Sequence, residues 1–103
     1  MCADYRSIIC QRGTANTPAI SSSTTALAAN TARSLWTIQN LGTNPLFVLL
    51  GSGASATVFH VVLKGGTAND DGLGGSVGQE CGVVYIGIIT IAGTSPRYTV
   101  TEI

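Results

Sequence analysis

From Arg33 to Ile103 the chain is a series of strand-length apolar runs cut by Gly, Asn and Pro, and this punctuation leaves room for little except β-structure. The stretch from Trp36 to Gly51 shows it best. Ser34 to Gln39 alternates, with Trp36 and Ile38 on one face and Thr37 and Gln39 on the other. Asn40 to Asn44 reads as a turn, and Pro45 opens the apolar run Leu46–Leu50, so these two strands are expected to pair as a hairpin. After the break Gly51–Ser55, Val58–Leu63 places Phe59, Val61 and Leu63 on one face and Val58, His60 and Val62 on the other. Lys64–Gly75 reads as a long Gly-rich loop. Ser76–Glu80 is a short strand, Val83–Ile91 the longest one, Ala92–Pro96 a turn and Arg97–Ile103 the last strand. About six strands at this spacing suit a sandwich or barrel and not βαβ units.

Residues 1–32 are different. Thr14 to Thr31 is mostly Ala, Ser, Thr and Asn, and the bulky apolar residues are few: Tyr5, Ile8, Ile9, Ile20 and Leu27. Thr25–Ala32 has the composition of one or two weak helical turns. Ordering backbone costs about 1–2 kcal/mol per residue, and so few anchors do not repay it. The expected organisation is an extended N-terminal arm over 1–32, reaching a neighbour, and a β-domain over 33–103. An ordinary edge strand of the same domain is the competing reading.

Charge is scarce. Five basic and five acidic residues in 103 give 10% charged residues and zero net charge, against about 25% in an ordinary soluble domain. Charge keeps soluble proteins apart, so association is the expectation. The charges are scattered singly, without the basic stripe that nucleic acid requires. No apolar run approaches the length of a membrane span. The start, Met1 to Arg6, lacks the pattern of a secretory signal. Cys2, Cys10 and Cys81, an odd number, read as free thiols in a reducing cytoplasm.

Leu46–Leu50 and Val83–Ile91 are apolar on both faces, and Val58–Leu63 nearly so. An antiparallel sandwich normally shows water one polar face. The second faces therefore meet another subunit, or a loop of the same chain covers them. Burying three or four such side chains contributes on the order of 5–10 kcal/mol before ordering costs. Subunit contacts are expected at Leu46, Val48, Leu50, Val84, Ile86 and Ile88, and the arm would be anchored by Tyr5, Ile8, Ile9 and Ile20.

The search for chemistry is mostly negative. His60 is the one histidine, and a nucleophilic pair would need Cys81 or another cysteine beside it. Cys2, Cys10, Cys81 and His60 match the count for zinc but not the knuckle spacing. Asn69, Asp70 and Asp71 offer oxygens without the spacing of a calcium loop. Gly65-Gly66 and Gly74-Gly75 precede strand sequence, not the helix N-terminus of a phosphate cradle. Asp4, Asp70, Asp71, Glu80 and Glu102 form no convincing acid–base pair. No catalytic residue, cofactor or metal is expected, and Trp36, Phe47, Phe59 and Tyr85 read as core.

Ala32-Arg33, the run Ile38 to Val48 with its Gln-Asn and Asn-Pro turn, the break at Gly51, Tyr85-Ile-Gly87 and the ending Val100-Thr-Glu102 together resemble a module of small β-rich virion structural proteins of tailed bacteriophages. The resemblance covers about residues 32–103. It implies a capsid cement or decoration protein at the capsid surface, made in the host cytoplasm. It further implies a homo-oligomer, a trimer by preference, bound to the major capsid protein or another virion protein. The fold expected is all-β, a single jelly-roll-like β-sandwich of about six to eight strands. A head-fibre base, tail or adaptor protein is the alternative within the virion. A carbohydrate-binding β-module is the alternative outside it and would stack sugars on Trp36 or Tyr98.

Overall fold

The computed structural model describes residues 23–80 and 83–103 with their side chains, and the backbone of 9–14. Eight strands form: β1 (Ile9–Thr14), β2 (Thr24–Leu27), β3 (Trp36–Asn40), β4 (Leu46–Leu50), β5 (Val61–Leu63), β6 (Ser76–Gln79), β7 (Ile89–Gly93) and β8 (Arg97–Glu102). No helix occurs among the described residues. From the outside of the chain inward, β1 pairs with β8, β2 with β7, β3 with β6 and β4 with β5, all antiparallel. Pairings of β3 with β8 and of β4 with β7 join these into two four-stranded sheets, ordered β1-β8-β3-β6 and β2-β7-β4-β5.

The period of two decides what is inside. Trp36, Ile38, Tyr98 and Val100 of the first sheet and Leu27, Leu46, Val48, Leu63, Ile89 and Ile91 of the second form one buried cluster. β8 alternates without a break: Tyr98, Val100 and Glu102 are buried and Thr99 and Thr101 are not. β7 is the exception, because all five of its residues are buried. Its second face is closed by the chain's own 51–60 loop. The Thr90 hydroxyl accepts a bond from the Ala54 amide at 3.2 Å and donates to the Gly51 carbonyl at 2.7 Å. A strand apolar on both faces therefore does not require a second subunit here.

Several expectations are corrected. The segments Ser34–Gln39 and Leu46–Leu50 are not a hairpin; β3 and β4 lie in different sheets, and the turn between them is a crossover. Residues 83–88 do not continue β7, because other groups hold their backbone. Arg33 Nη1 donates to the Tyr85 and Gly87 carbonyls at 2.8 and 3.1 Å. The Asn30 amide donates to the Ile86 carbonyl, and the Tyr85 amide to Gln79 Oε1. Thr24–Leu27 is a strand, not a helical turn: pairing with β7 overrides the weak preference of Ala. On the N-terminal side of residue 32, β1 and β2 each pair into one of the two sheets. Of the expected arm anchors, Ile9 opens β1, while Tyr5, Ile8 and Ile20 lie outside the described residues.

Two buried polar side chains flank β3 and tie the crossovers down. At one end Arg33 donates from Nε to Glu102 Oε1 at 3.1 Å, from Nη1 to the two carbonyls above, and from Nη2 to the Ala28 carbonyl at 2.7 Å. At the other end Asn40 Nδ2 donates to the carbonyls of Asn44, Leu63 and Lys64 at 2.8, 3.1 and 3.3 Å, and its Oδ1 accepts from the Gly42 amide. Crossovers leave carbonyls that no ladder can satisfy, and these two side chains satisfy them.

Candidate functional site

Of the residues singled out for chemistry, His60, Asp70 and Asp71 make structural contacts. His60 is exposed, and its Nδ1 accepts a bond from the Leu50 amide at 3.1 Å. It fixes the start of β5 against the end of β4. Cys2 and Cys81 lie outside the described residues, and Cys10 is described only as backbone in β1. No cluster of three or more metal-ligating side chains occurs among the described residues.

The 64–75 loop is built around Asp71. Its carboxylate accepts from the Thr67 amide and hydroxyl, the Ala68 amide and the Leu73 amide, all between 2.7 and 2.9 Å. Asp70 pairs with Arg97 on the exposed surface, Nε to Oδ1 at 2.8 Å, and this contact raises the guanidinium pKa. The Asp70 amide bonds the Leu41 carbonyl, and the Gly66 amide the Gly42 carbonyl. The carboxylates of Asp70 and Asp71, set aside as calcium ligands on spacing, thus hold the loop in place. The bonds from Leu73, Thr67 and Ala68 hold the Asp71 carboxyl at about 2, below its ordinary 3.8. A depressed carboxyl stabilises the fold above the unfolded value, and this contribution disappears as pH falls through the folded one. A carboxyl-carbon NMR titration is expected to place Asp71 near 2, with the Thr67, Ala68 and Leu73 amides losing exchange protection below that pH. A midpoint at 3.8 would mean that the loop is not closed by this side chain.

A groove of about 300 Å³ lies along β3 and β6, lined by Leu35, Thr37, Gly78, Gln79 and Glu80. Its amide oxygen, Gln79 Oε1, already accepts from Trp36 Nε1 at 3.0 Å and from the Tyr85 amide. The aromatic residues on which sugar stacking depends are inside: Trp36 is 1% exposed and Tyr98 6%. Burial also pushes the Tyr98 phenol pKa up.

The expected subunit-contact residues separate. Leu46 and Val48 are buried in the shared core, because the inward positions of β4 are 46 and 48. Leu50 and Val84 are partly buried and pack against that core. Ile88 is half-buried, and Ile86 is exposed. None of the six belongs to the apolar surface that β4 and β5 turn outward. That surface is Phe47, Phe59 and Val62, with Val58 preceding Phe59 in the chain. Phe47 and Val62 face each other across the β4–β5 ladder. The Phe59 ring lies over Phe47, with centroids 5.0 Å apart and planes tilted by 51°. Val58, Phe59 and Val62 remain 50%, 38% and 49% exposed. Extending strand alternation back to residue 58 hid this group; Phe59 belongs to the loop that returns over the sheet.

That loop is firmly held. The Ser55 amide bonds the Val58 carbonyl at 2.9 Å, Ser55 Oγ accepts from the Thr57 and Val58 amides, and the His60 amide bonds the Val48 carbonyl at 2.8 Å. Beside these bonded groups the side chains of Val58 and Phe59 stand exposed. No family model matches this chain, and no curated protein or solved structure matches it either.

Proposed function

We propose that this chain is a structural virion protein, a capsid cement or decoration protein that self-associates and binds the capsid lattice to stabilise it. The observation that carries the reading is an apolar surface displayed by an ordered loop on a chain with almost no charge. Val58, Phe59 and Val62 stay exposed beside backbone groups of Ser55, Val58 and His60 that are hydrogen-bonded. Exposed apolar side chains grouped together on an ordered surface mark a place where a partner could dock.

The strand order supports a jelly-roll sandwich. One long antiparallel hairpin, with β1 on β8 and β4 on β5 at its two ends, yields the orders β1-β8-β3-β6 and β2-β7-β4-β5 when it is rolled up. Two interlocked Greek keys of this kind recur in viral capsid domains, and also in lectins and cupins. Fold alone therefore does not decide among these. The buried Trp36 and Tyr98 weigh against the lectin reading, and the sparse charge favours a protein used in many packed copies. Its action would be mechanical: each copy adds buried area across a lattice joint.

The test is attachment. The purified chain, added to phage shells that lack it, is expected to sediment with them in a fixed stoichiometry and raise the temperature at which they open. Imaging of the native particle would then show it on the outer surface, in threes if the trimer is correct. A chain that stays in the supernatant and has no density on the native particle sinks the proposal.

A further inference from the structure

We propose that His60 is a proton-sensitive clasp: its neutral imidazole holds the end of the 51–60 loop on β4, and its protonation lets the loop go, whatever the chain attaches to.

The clasp sits where the β4–β5 ladder runs out. Pairing stops at Val48 and Val61, and continuing that register would set Leu50 opposite Phe59. The Leu50 amide instead meets His60 Nδ1 at 3.1 Å, so a side-chain nitrogen stands in for a ladder carbonyl. The His60 amide bonds the Val48 carbonyl at 2.8 Å, which joins this residue to β4 through both backbone and ring. On its other side Leu50 pairs with Ile89 of β7, so β4 is the fixed member and the loop the one able to leave. The loop's last turn carries Phe59, whose ring lies over Phe47 with centroids 5.0 Å apart. Its first turn is tied separately, through Gly51, Ala54 and Thr90. Release at residue 60 therefore uncovers Phe47 while the start of the loop stays on β7.

The bond is conditional on charge. An imidazole nitrogen accepts only when it carries no proton, so this bond selects the neutral ring with its proton on Nε2. The imidazolium is a donor at both nitrogens, and an N–H at Nδ1 would face the N–H of Leu50. The ring is exposed and then turns to water. Imidazole is the side chain whose charge ordinarily changes between about pH 5 and 8. What the bond contributes to the docked loop is present when the ring is neutral and is lost as pH falls. The surroundings add no competing titration: β2, β4, β5, β7 and the rest of the 51–60 loop hold no Asp, Glu, Lys, Arg, Tyr or Cys. Among the described residues, three charged groups adjoin these elements. Lys64 follows β5 at the opposite end of the ladder, about 13 Å along the strand from His60. Arg97, paired with Asp70, follows the far end of β7. Arg33, at the Gly87 carbonyl, is bonded to Glu102.

NMR of the unaltered chain between pH 8 and pH 5 tests the clasp. At pH 8, proton–nitrogen couplings are expected to place the ring proton on Nε2, with the Leu50 amide protected from exchange and a ring-to-ring contact between Phe47 and Phe59. At pH 5 the protection factor of the Leu50 amide is expected to fall about fivefold, the scale of one hydrogen bond, and the ring contact to weaken. The Thr67, Ala68 and Leu73 amides are the internal reference, since the Asp71 carboxyl that holds them sits at about 2. His60→Asn puts an oxygen near the position of Nδ1 and does not titrate, so its Leu50 amide is expected to show no pH dependence and more protection than in His60→Ala. A ring proton on Nδ1 at pH 8, a Leu50 protection factor unchanged between the two pH values, or an equal fall in His60→Asn would each overturn the clasp.

Discussion

Replacing Arg33 by methionine is expected to remove about 3–5 kcal/mol of folding stability, the cost of leaving one partner of a buried ion pair uncompensated. The side chain is fully buried, and four of its bonds end on Glu102, Ala28, Tyr85 and Gly87. Without it the Glu102 carboxylate keeps, among the described residues, the bond from Asn30 Nδ2 at 3.0 Å, and three carbonyls of two different crossovers lose their donor. Small domains have roughly 5–15 kcal/mol in total, so the variant would sit near the edge of folding. Urea denaturation measures the loss. Arg33→Lys is expected to recover little, because an ammonium cannot reach three crossover carbonyls from one planar fork. The double variant Arg33→Met, Glu102→Gln is expected to be more stable than Arg33→Met alone, since no unpaired charge is left inside. A loss below about 1 kcal/mol for Arg33→Met would place the pair among surface ion pairs and remove its role in joining the crossovers.

Arg33 also shows where reading the sequence stopped. In the sequence it marks only the start of the β-rich block and half of the Ala32-Arg33 pair, and nothing in its neighbours names Tyr85, Gly87 or Glu102 as partners. The alternating segments were legible: β4 and β8 fall on or within a residue of the expected bounds, and β6 is one residue shorter. Alternation is local, and local information suffices for it. Topology is not local. β1 and β8 pair from opposite ends of the chain, and β3 and β4, close in sequence, separate into different sheets. Apolar runs mislead for a related reason. In Val83–Ile91 the hydrophobicity is genuine, but Arg33, Asn30 and Gln79 claim the backbone of 85–87, so the ladder starts only at Ile89. The candidate contact surface was missed through a single face assignment. Leu46 and Val48 point inward, and the alternate residue Phe47 carries Phe59 above it.

Asn40 is the counterpart of Arg33 at the other end of β3, and its replacement is the second large effect expected. Asn40→Ala removes the donor shared by the Asn44, Leu63 and Lys64 carbonyls and the acceptor of the Gly42 amide. Buried groups left unpaired cost about 1–3 kcal/mol each, and relaxation recovers some of them, so a loss of about 2–4 kcal/mol is expected. Asn40→Asp is the sharper probe because it keeps the shape and inverts the chemistry. A carboxylate in that position would face three carbonyl oxygens, and the folded chain would favour its protonated form. The sign follows from linkage: a carboxyl whose folded pKa is raised disfavours folding least below its unfolded pKa, near 4, and increasingly so as pH rises above it. The stability difference between Asn40→Asp and the unaltered chain is therefore expected to be larger at pH 7 than at pH 3. Taking that difference cancels the titration of Asp71, which both proteins share. If the gap were the same at both pH values, the Asn40 amide would not be donating to the crossover carbonyls, and the 41–45 and 64–75 segments would have to be held by backbone contacts alone.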